Sequence, residues 1–335
     1  MKFFLTGGMG YIGSHILVRL LTTGHDICVF DNGTACHPNI EDQLQQITKK
    51  PYQFIKADLL DEDILISTLK EYRPDVVIHC AGLKSIAESN AQPLLYYRNN
   101  VMGTIMLLSA MEKAGCSHLI FSSSATVYGA PEKALLTESH TTVPLHAYGR
   151  TKLMIEDLVR DWVQAHGTAS IILRYFNPAG AHKSGAIGES FAKLPNNLMP
   201  LLGMVAAGFR EHLDIFGNDY DTIDGTGVRD YIHVEDLADV HVLVADYLMQ
   251  NKMFEIFNVG TGTGCSVLQM IDAYEKASNK KITYNFCARR KGDAAIVVAD
   301  STKLNKTLNW TAKYTLQDMC EDSWRWVSQS KTFDN

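Results

Sequence analysis

Residues 3–31 read FFLTGGMGYIGSHILVRLLTTGHDICVFD. An apolar run gives way to glycines at three-residue intervals (Gly7, Gly10 and Gly13), passes into a stretch of helical period, and returns to an apolar run ending on Asp31. Strand, glycine turn, helix and strand form the unit that cradles a dinucleotide. One glycine permits the tight turn, one lets the backbone approach a pyrophosphate, one lets helix and strand pack closely, and the phosphates meet the helix N-terminus. Asp31 lies 18 residues beyond Gly13. A carboxylate there accepts both hydroxyls of an adenosine ribose and repels a 2′-phosphate, so the pattern favours NAD over NADP. The bland alternative is a glycine-rich turn with no ligand, and it leaves the acid in register unexplained.

Outward from this unit the same grammar repeats. KFFLT, DICVF, YQFIKAD, DVVIHCAG, HLIFSSS and SIILRYF are apolar runs separated by segments long enough for helices. They predict an α/β fold, a Rossmann-type doubly wound parallel sheet covered on both faces. Residues 178–228 are rich in Gly, Pro and Asn and read as long loops, after which strands return at FEIFNVG and KITYNF and helices are predicted over 235–249, 266–278 and 316–329. We therefore expect residues 1–177 to form the dinucleotide domain, with about 229–262 returning to it. Residues 178–335 are expected to build mainly a smaller, discontinuous α/β lobe for substrate. Asp58 and the CAG at 80–82 fall at further strand C-termini, where open α/β sheets gather ligand contacts.

Bulk properties narrow the function. The 335 residues are 20% charged with a formal net charge of -6, so no basic surface is implied that would track a nucleic acid backbone. The apolar run before the first glycines is only three residues long, too short for a secretory signal, and no run reaches membrane-spanning length, so a cytoplasmic protein away from membranes is expected. Seven cysteines lack a C-x-x-C pair and twelve histidines lack H-x-H, H-x-x-x-H and HExxH spacings. No disulfide framework or metal site is expected.

A second motif carries chemistry. YGRTK places Tyr148 and Lys152 four residues apart in a predicted helix running to about His166, so they share a face. A phenol of reference pKa ~10 needs roughly three units of depression, about 4 kcal/mol, to act as a phenolate near neutrality. An adjacent ammonium and a positively charged nicotinamide ring are groups that supply it. Tyr52 and Lys56 have the same spacing, but they fall in a strand, where four residues span about 13 Å. The stretch FSSSATVYG, residues 121–129, ends a strand 24 residues before Tyr148, counted from Ser124. Ser124 is the candidate to pass a proton or hydrogen bond between substrate and Tyr148; Ser122 and Ser123 are expected to be structural.

TGGMGYIGSH, FSSSATVYG, YGRTK, RYFNPAGAH, PNNLMP, GVRDYIHVEDLA and NVGTG, in this order, resemble the extended short-chain dehydrogenase/reductase superfamily. Within it the chain is similar over nearly its whole length to the UDP-glucose 4-epimerase (UDP-galactose 4-epimerase) family. The resemblance implies a tightly held NAD that is reduced and reoxidised in each turnover. Tyr148 would take the proton from the sugar 4-hydroxyl, and the 4-keto sugar would turn over before receiving hydride on its other face. For the cofactor it implies Gly7, Gly10, Tyr11, Ile12, Gly13, Asp31, Asn32, Asp58, Leu59, Lys84, Asn99, Tyr148, Lys152 and Tyr175. For UDP it implies Asn177, Asn197, Leu198, Phe216, Arg229, Arg290 and Asp293, besides Ser124 at the sugar. A sugar that must rotate cannot be gripped hard, so affinity belongs to the remote nucleotide. Two arginines suit its diphosphate.

Relatives that dehydrate or decarboxylate nucleotide sugars need extra acid/base groups beside the serine. Here Ala125 and Thr126 follow it, which favours epimerisation. A non-catalytic NAD or nucleotide-sugar regulator is the third reading, and the retained Tyr148 and Lys152 speak against it. By resemblance the position four after the aspartate of RRKGD lines the hexose pocket. It is Val297, small enough to admit a 2-acetamido group, so UDP-N-acetylglucosamine and UDP-N-acetylgalactosamine are expected substrates beside the plain hexoses. Ordinary strand packing is the alternative role of Val297. Asp214 stands where a small residue is expected. Family helices pair across a two-fold axis, so a homodimer is expected through residues such as Met106, Leu107, Leu153 and Met154, although core packing explains these equally.

Overall fold

The computed structural model describes residues 1–131, 133–190, 195, 197–251, 253–290 and 292–329. Its largest element is a seven-stranded sheet in the order Phe254–Val259, Ala169–Tyr175, His118–Ser124, Val76–His79, Lys2–Thr6, Asp26–Asp31, Gln53–Lys56. All six pairings are parallel. The continuous apolar runs seen in the sequence are what a sheet buried on both faces requires. Side chains alternate between the faces: Phe3 and Leu5 pack with Ile16, Leu20 and Val244, whereas Phe4 packs with Leu65, Leu107 and Val159.

Strand order reverses between Lys2–Thr6 and Val76–His79. The loops after these strands diverge to opposite faces and leave a crevice at their carboxyl ends. Helix Tyr11–Thr22 starts there, and Val234–Gln250 packs against it before the chain returns as the edge strand Phe254–Val259.

A smaller sheet runs Gly264–Ser266, Val228–His233, Ile296–Ala299, Leu135–Leu136, with Asn177–Ala179 also paired to Val228–His233. Leu213–Phe216 and Tyr284–Cys287 form a parallel pair. Helices Leu198–Ala206, Val267–Ser278 and Leu316–Gln329 share a core of Leu202, Met270, Tyr274 and Met319. Among the described residues no helix is long and apolar enough to cross a membrane.

Within AQPLLYYRNN, residues 91–100, the chain is already helical: Pro93–Tyr96 is helical, Tyr97–Met102 is a π-turn, and Gly103–Ala114 continues it. Pro93 sits in the first turn, where its missing N–H costs nothing, so it starts the helix and does not break one. Leu107 is a core residue, Met106 and Leu153 pack partly buried against core clusters, and only Met154 of the four expected contact residues is exposed. The exposed apolar side chains on these helices are Leu94, Leu95, Met102, Ile105 and Met154.

Candidate active site

The glycine turn closes on the crevice. Gly7 has φ +71°, and a Cβ there would lie 2.6 Å from the Ala81 nitrogen. A Cβ on Gly13 would lie 2.1 Å from the Gly7 carbonyl oxygen. At Gly10, the N-cap of helix Tyr11–Thr22, the nearest protein atom would be 3.5 Å away, so the protein's own packing does not demand glycine. Open backbone at that helix N-terminus is what an approaching pyrophosphate requires, and on this ground the cradle fits a dinucleotide. Asp31 accepts from Met9 N at 3.0 Å on one oxygen and from Gly33 N at 2.8 Å on the other. Burial pushes its carboxyl up, and these two bonds pull it back. Each oxygen retains a lone pair for a ribose hydroxyl. Asn32 donates to Asp58 at 2.9 Å, tying the next strand end to the same edge. Leu59 packs partly buried beneath Gly103. Asn99 donates to its neighbour Asn100, a buried amide that fastens the Leu83 backbone to Thr151.

The three serines divide by strand alternation. Ser123 shares a face with Leu119 and Phe121, toward helix Ala147–His166, and donates to Glu156 at 2.5 Å. Glu156 is held in turn by Arg174, whose nitrogens lie 2.6–3.2 Å from its oxygens. Ser122 faces the other way, toward helix Val234–Gln250, and meets the Tyr175 hydroxyl at 2.6 Å and the Cys80 thiol at 2.9 Å. Ser124 caps the 3-10 turn Ala125–Tyr128 through the Thr126 N–H and lines a cleft. It thus satisfies a backbone N–H at the strand end and at the same time borders the cleft.

Tyr148 lines the same cleft, in the first turn of Ala147–His166, a helix capped by His146. Lys152 is buried one turn on, donates to the Ser122 carbonyl at 2.7 Å, and holds its ammonium 5.9 Å from the centre of the Tyr148 ring. Burial pushes the Tyr148 phenol up to about 12, against a hydrogen bond to Ser124 that lowers it. Burial also lowers Lys152 to about 8. The depression that a phenolate needs is thus not provided by the chain's own groups; desolvation outweighs the Ser124 hydrogen bond.

The cleft, about 220 Å³, brings together Tyr11, Ile12, Lys84, Ser124, Tyr148, Tyr175, Asn177, Asn197 and Leu198 of the predicted residues. Its lining also includes residues the sequence did not single out: Thr126, Phe176, Glu189 and Trp326. Lys84 pairs with Glu189 at 2.5 Å, a contact across 105 positions of sequence. A second group lies outside that lining, on the smaller lobe. The Arg290 guanidinium lies 3.8 Å from the centre of the Phe216 ring, Arg229 approaches Asp293 at 3.8 Å, and Val297 is the strand partner of Arg229. Val297 also packs with Ala125 and Phe176, close to the serine turn. Asp214, where a small residue is expected, binds Arg210 at 2.6 Å and lies 3.4 Å from His212, closing its own turn. Among the described residues no cluster of three potential metal ligands occurs.

Sheet, glycine cradle and the Tyr148–Lys152 pair at the strand ends define an extended short-chain dehydrogenase/reductase. The family model described as GDP-mannose 4,6 dehydratase matches residues 4–323. UDP-glucose 4-epimerases of Bacillus subtilis and Homo sapiens are each 49% identical to the chain, over 331 and 337 residues, covering 98% of this chain and 98% and 97% of theirs. A crystal structure of UDP-glucose 4-epimerase from Stenotrophomonas maltophila, with bound NAD and formylated UDP-arabinopyranose, superposes with a TM-score of 0.95. It is 41% identical, with 98% of both chains covered. The chain belongs to the UDP-glucose 4-epimerase family, a family of isomerases.

Proposed function

We propose that this protein catalyses the reversible, NAD-dependent 4-epimerisation of UDP-hexoses, UDP-glucose and UDP-galactose, and of their 2-acetamido counterparts. The observation that carries this reading is the composition of the cleft. Ser124 and Tyr148 line it with Lys152 behind them, and among its described lining residues the one carboxylate, Glu189, is paired with Lys84. A dehydratase, the reading that the matched family model's description would favour, needs a free acid/base group for a further proton. With none beside Ser124 among the described residues, a 4-keto sugar is left to be reduced again.

The glycine cradle and Asp31 would hold NAD, which would supply the hydride acceptor and donor for carbon 4. Tyr148 takes the proton from the 4-hydroxyl with Ser124 hydrogen-bonded beside it, and returns the proton after the sugar has turned over. Lys152 favours the phenolate by its charge. Asn177, Asn197, Leu198, Phe216, Arg229, Arg290 and Asp293 hold UDP, leaving the hexose free to rotate near Val297. Exposed Leu94, Leu95, Met102, Ile105 and Met154 support pairing of two copies through these helices. Free cysteines among the described residues accord with a cytoplasmic protein.

The test is incubation of the purified protein, without added cofactor, with UDP-galactose and separately with UDP-N-acetylglucosamine, the 4-epimers being resolved by anion-exchange chromatography. Turnover of both is expected. Turnover of UDP-galactose alone would refute the open pocket at Val297, and turnover of neither, even with NAD added, would refute the epimerase reading.

A further inference from the structure

We propose that His241, on helix Val234–Gln250 and outside the cleft, is a positioning residue. It fixes the Tyr175 ring and, through Ser122, the carbonyl that holds Lys152. His241 is fully buried. Its Nδ1 lies 2.8 Å from the Leu237 carbonyl oxygen one turn back, and a carbonyl only accepts, so Nδ1 carries the proton. In a neutral ring Nε2 is then an acceptor, and the Tyr175 hydroxyl, 2.6 Å away, must donate to it.

The direction of every later bond follows. The Tyr175 oxygen, its proton committed to His241, accepts from the Ser122 hydroxyl at 2.6 Å. The Ser122 oxygen in turn accepts from the Cys80 thiol at 2.9 Å. The same residue's carbonyl receives the Lys152 ammonium at 2.7 Å. Burial lowers His241 to about 4, which keeps the ring neutral across the working range. Tyr175 lines the cleft, yet its hydroxyl is fully engaged away from it. It serves as a fixed wall and not as an acid, and the imidazole one layer behind keeps it so. Without that acceptor the Tyr175 proton has no partner on its buried side, and the chain of bonds is free to reverse or to turn the ring into the cleft.

The catalytic part of this inference rests on the epimerase reading, and two measurements keep them separable. The first is the kinetics of His241→Leu and His241→Gln in the holoenzyme; a glutamine carbonyl can stand where Nε2 accepts. His241→Leu is expected to lower kcat about tenfold or more with KM for the UDP-sugar little changed, and His241→Gln to recover most of it. The second needs no turnover: nitrogen NMR of histidine-labelled protein should show His241 neutral with its proton on Nδ1, and its Nε2 resonance should move in Tyr175→Phe. An unchanged kcat in His241→Leu, or equal losses in both variants, would overturn the positioning role. A proton on Nε2 would overturn the bond directions. Wild-type protein that turns over no UDP-hexose would sink the function while the NMR experiment still decided the bonding of His241.

Discussion

Arg174→Met removes one member of an ion pair that is almost wholly out of water, with Arg174 3% and Glu156 0% exposed at their side chains. The guanidinium gives Glu156 its Nε and Nη2 donors and spends Nη1 on the Tyr128 hydroxyl at 2.9 Å and the Glu138 carbonyl at 3.2 Å. Once it is gone, Glu156 keeps Ser123 as its hydrogen-bond donor from the pair's surroundings. Stranding a buried charge in this way costs about 3–5 kcal/mol. For a chain of 335 residues, at about 2.1 cal/mol/K of unfolding entropy per residue, that is a fall in Tm of roughly 4–7 °C. Removing both charges, as in Arg174→Met with Glu156→Leu, leaves Ser123 short of a partner but strands no ion, so the double variant should lose only about 1–2 kcal/mol. Urea and thermal unfolding of the parent, both single variants and the double variant close the cycle. A loss below about 1 kcal/mol in Arg174→Met, or a double variant no more stable than the single, would refute the claim that burial makes this pair costly to break.

Tyr148→Phe should lower kcat by about 10²–10⁴ with its melting temperature close to the parent's, measured by epimer formation. Lys152 is held at about 8, below its ordinary 10.5, by burial. Below pH 8 the native state therefore carries the full penalty of a buried ammonium, about 3 kcal/mol. Between pH 8 and 10.5 the native chain has released a proton that the unfolded chain still binds, so stability rises with pH across that window. Inactive Lys152→Met should thus resist urea better than the parent at pH 7 and lose that advantage by pH 10; a constant difference would refute this. Gly13→Ala drives a methyl into the Gly7 carbonyl, so a loss of about 1–3 kcal/mol and of co-purifying cofactor absorbance is expected. Val297→Tyr should retain turnover of UDP-galactose and lose that of UDP-N-acetylglucosamine, read by the same chromatography.

What the sequence determined by itself was what depends on neighbours along the chain. Strand, glycine turn and helix around Gly7–Gly13 are local, as is the four-residue spacing that puts Tyr148 and Lys152 on one helix face. The order of the apolar runs sufficed for a parallel α/β sheet. Contacts between distant segments were decided only in the tertiary structure. Which serine of residues 122–124 meets the site depends on which helix covers each face of the sheet, and nothing local says that Glu156 lies on one side and His241 on the other. Nothing local pairs Lys84 with Glu189, and nothing local puts Leu107 in the core while Met106 beside it stays partly buried. Proton affinities belong to the same category. Sequence spacing placed an ammonium beside a phenol, but burial, which raises Tyr148 and lowers Lys152, comes from the whole fold closing around both.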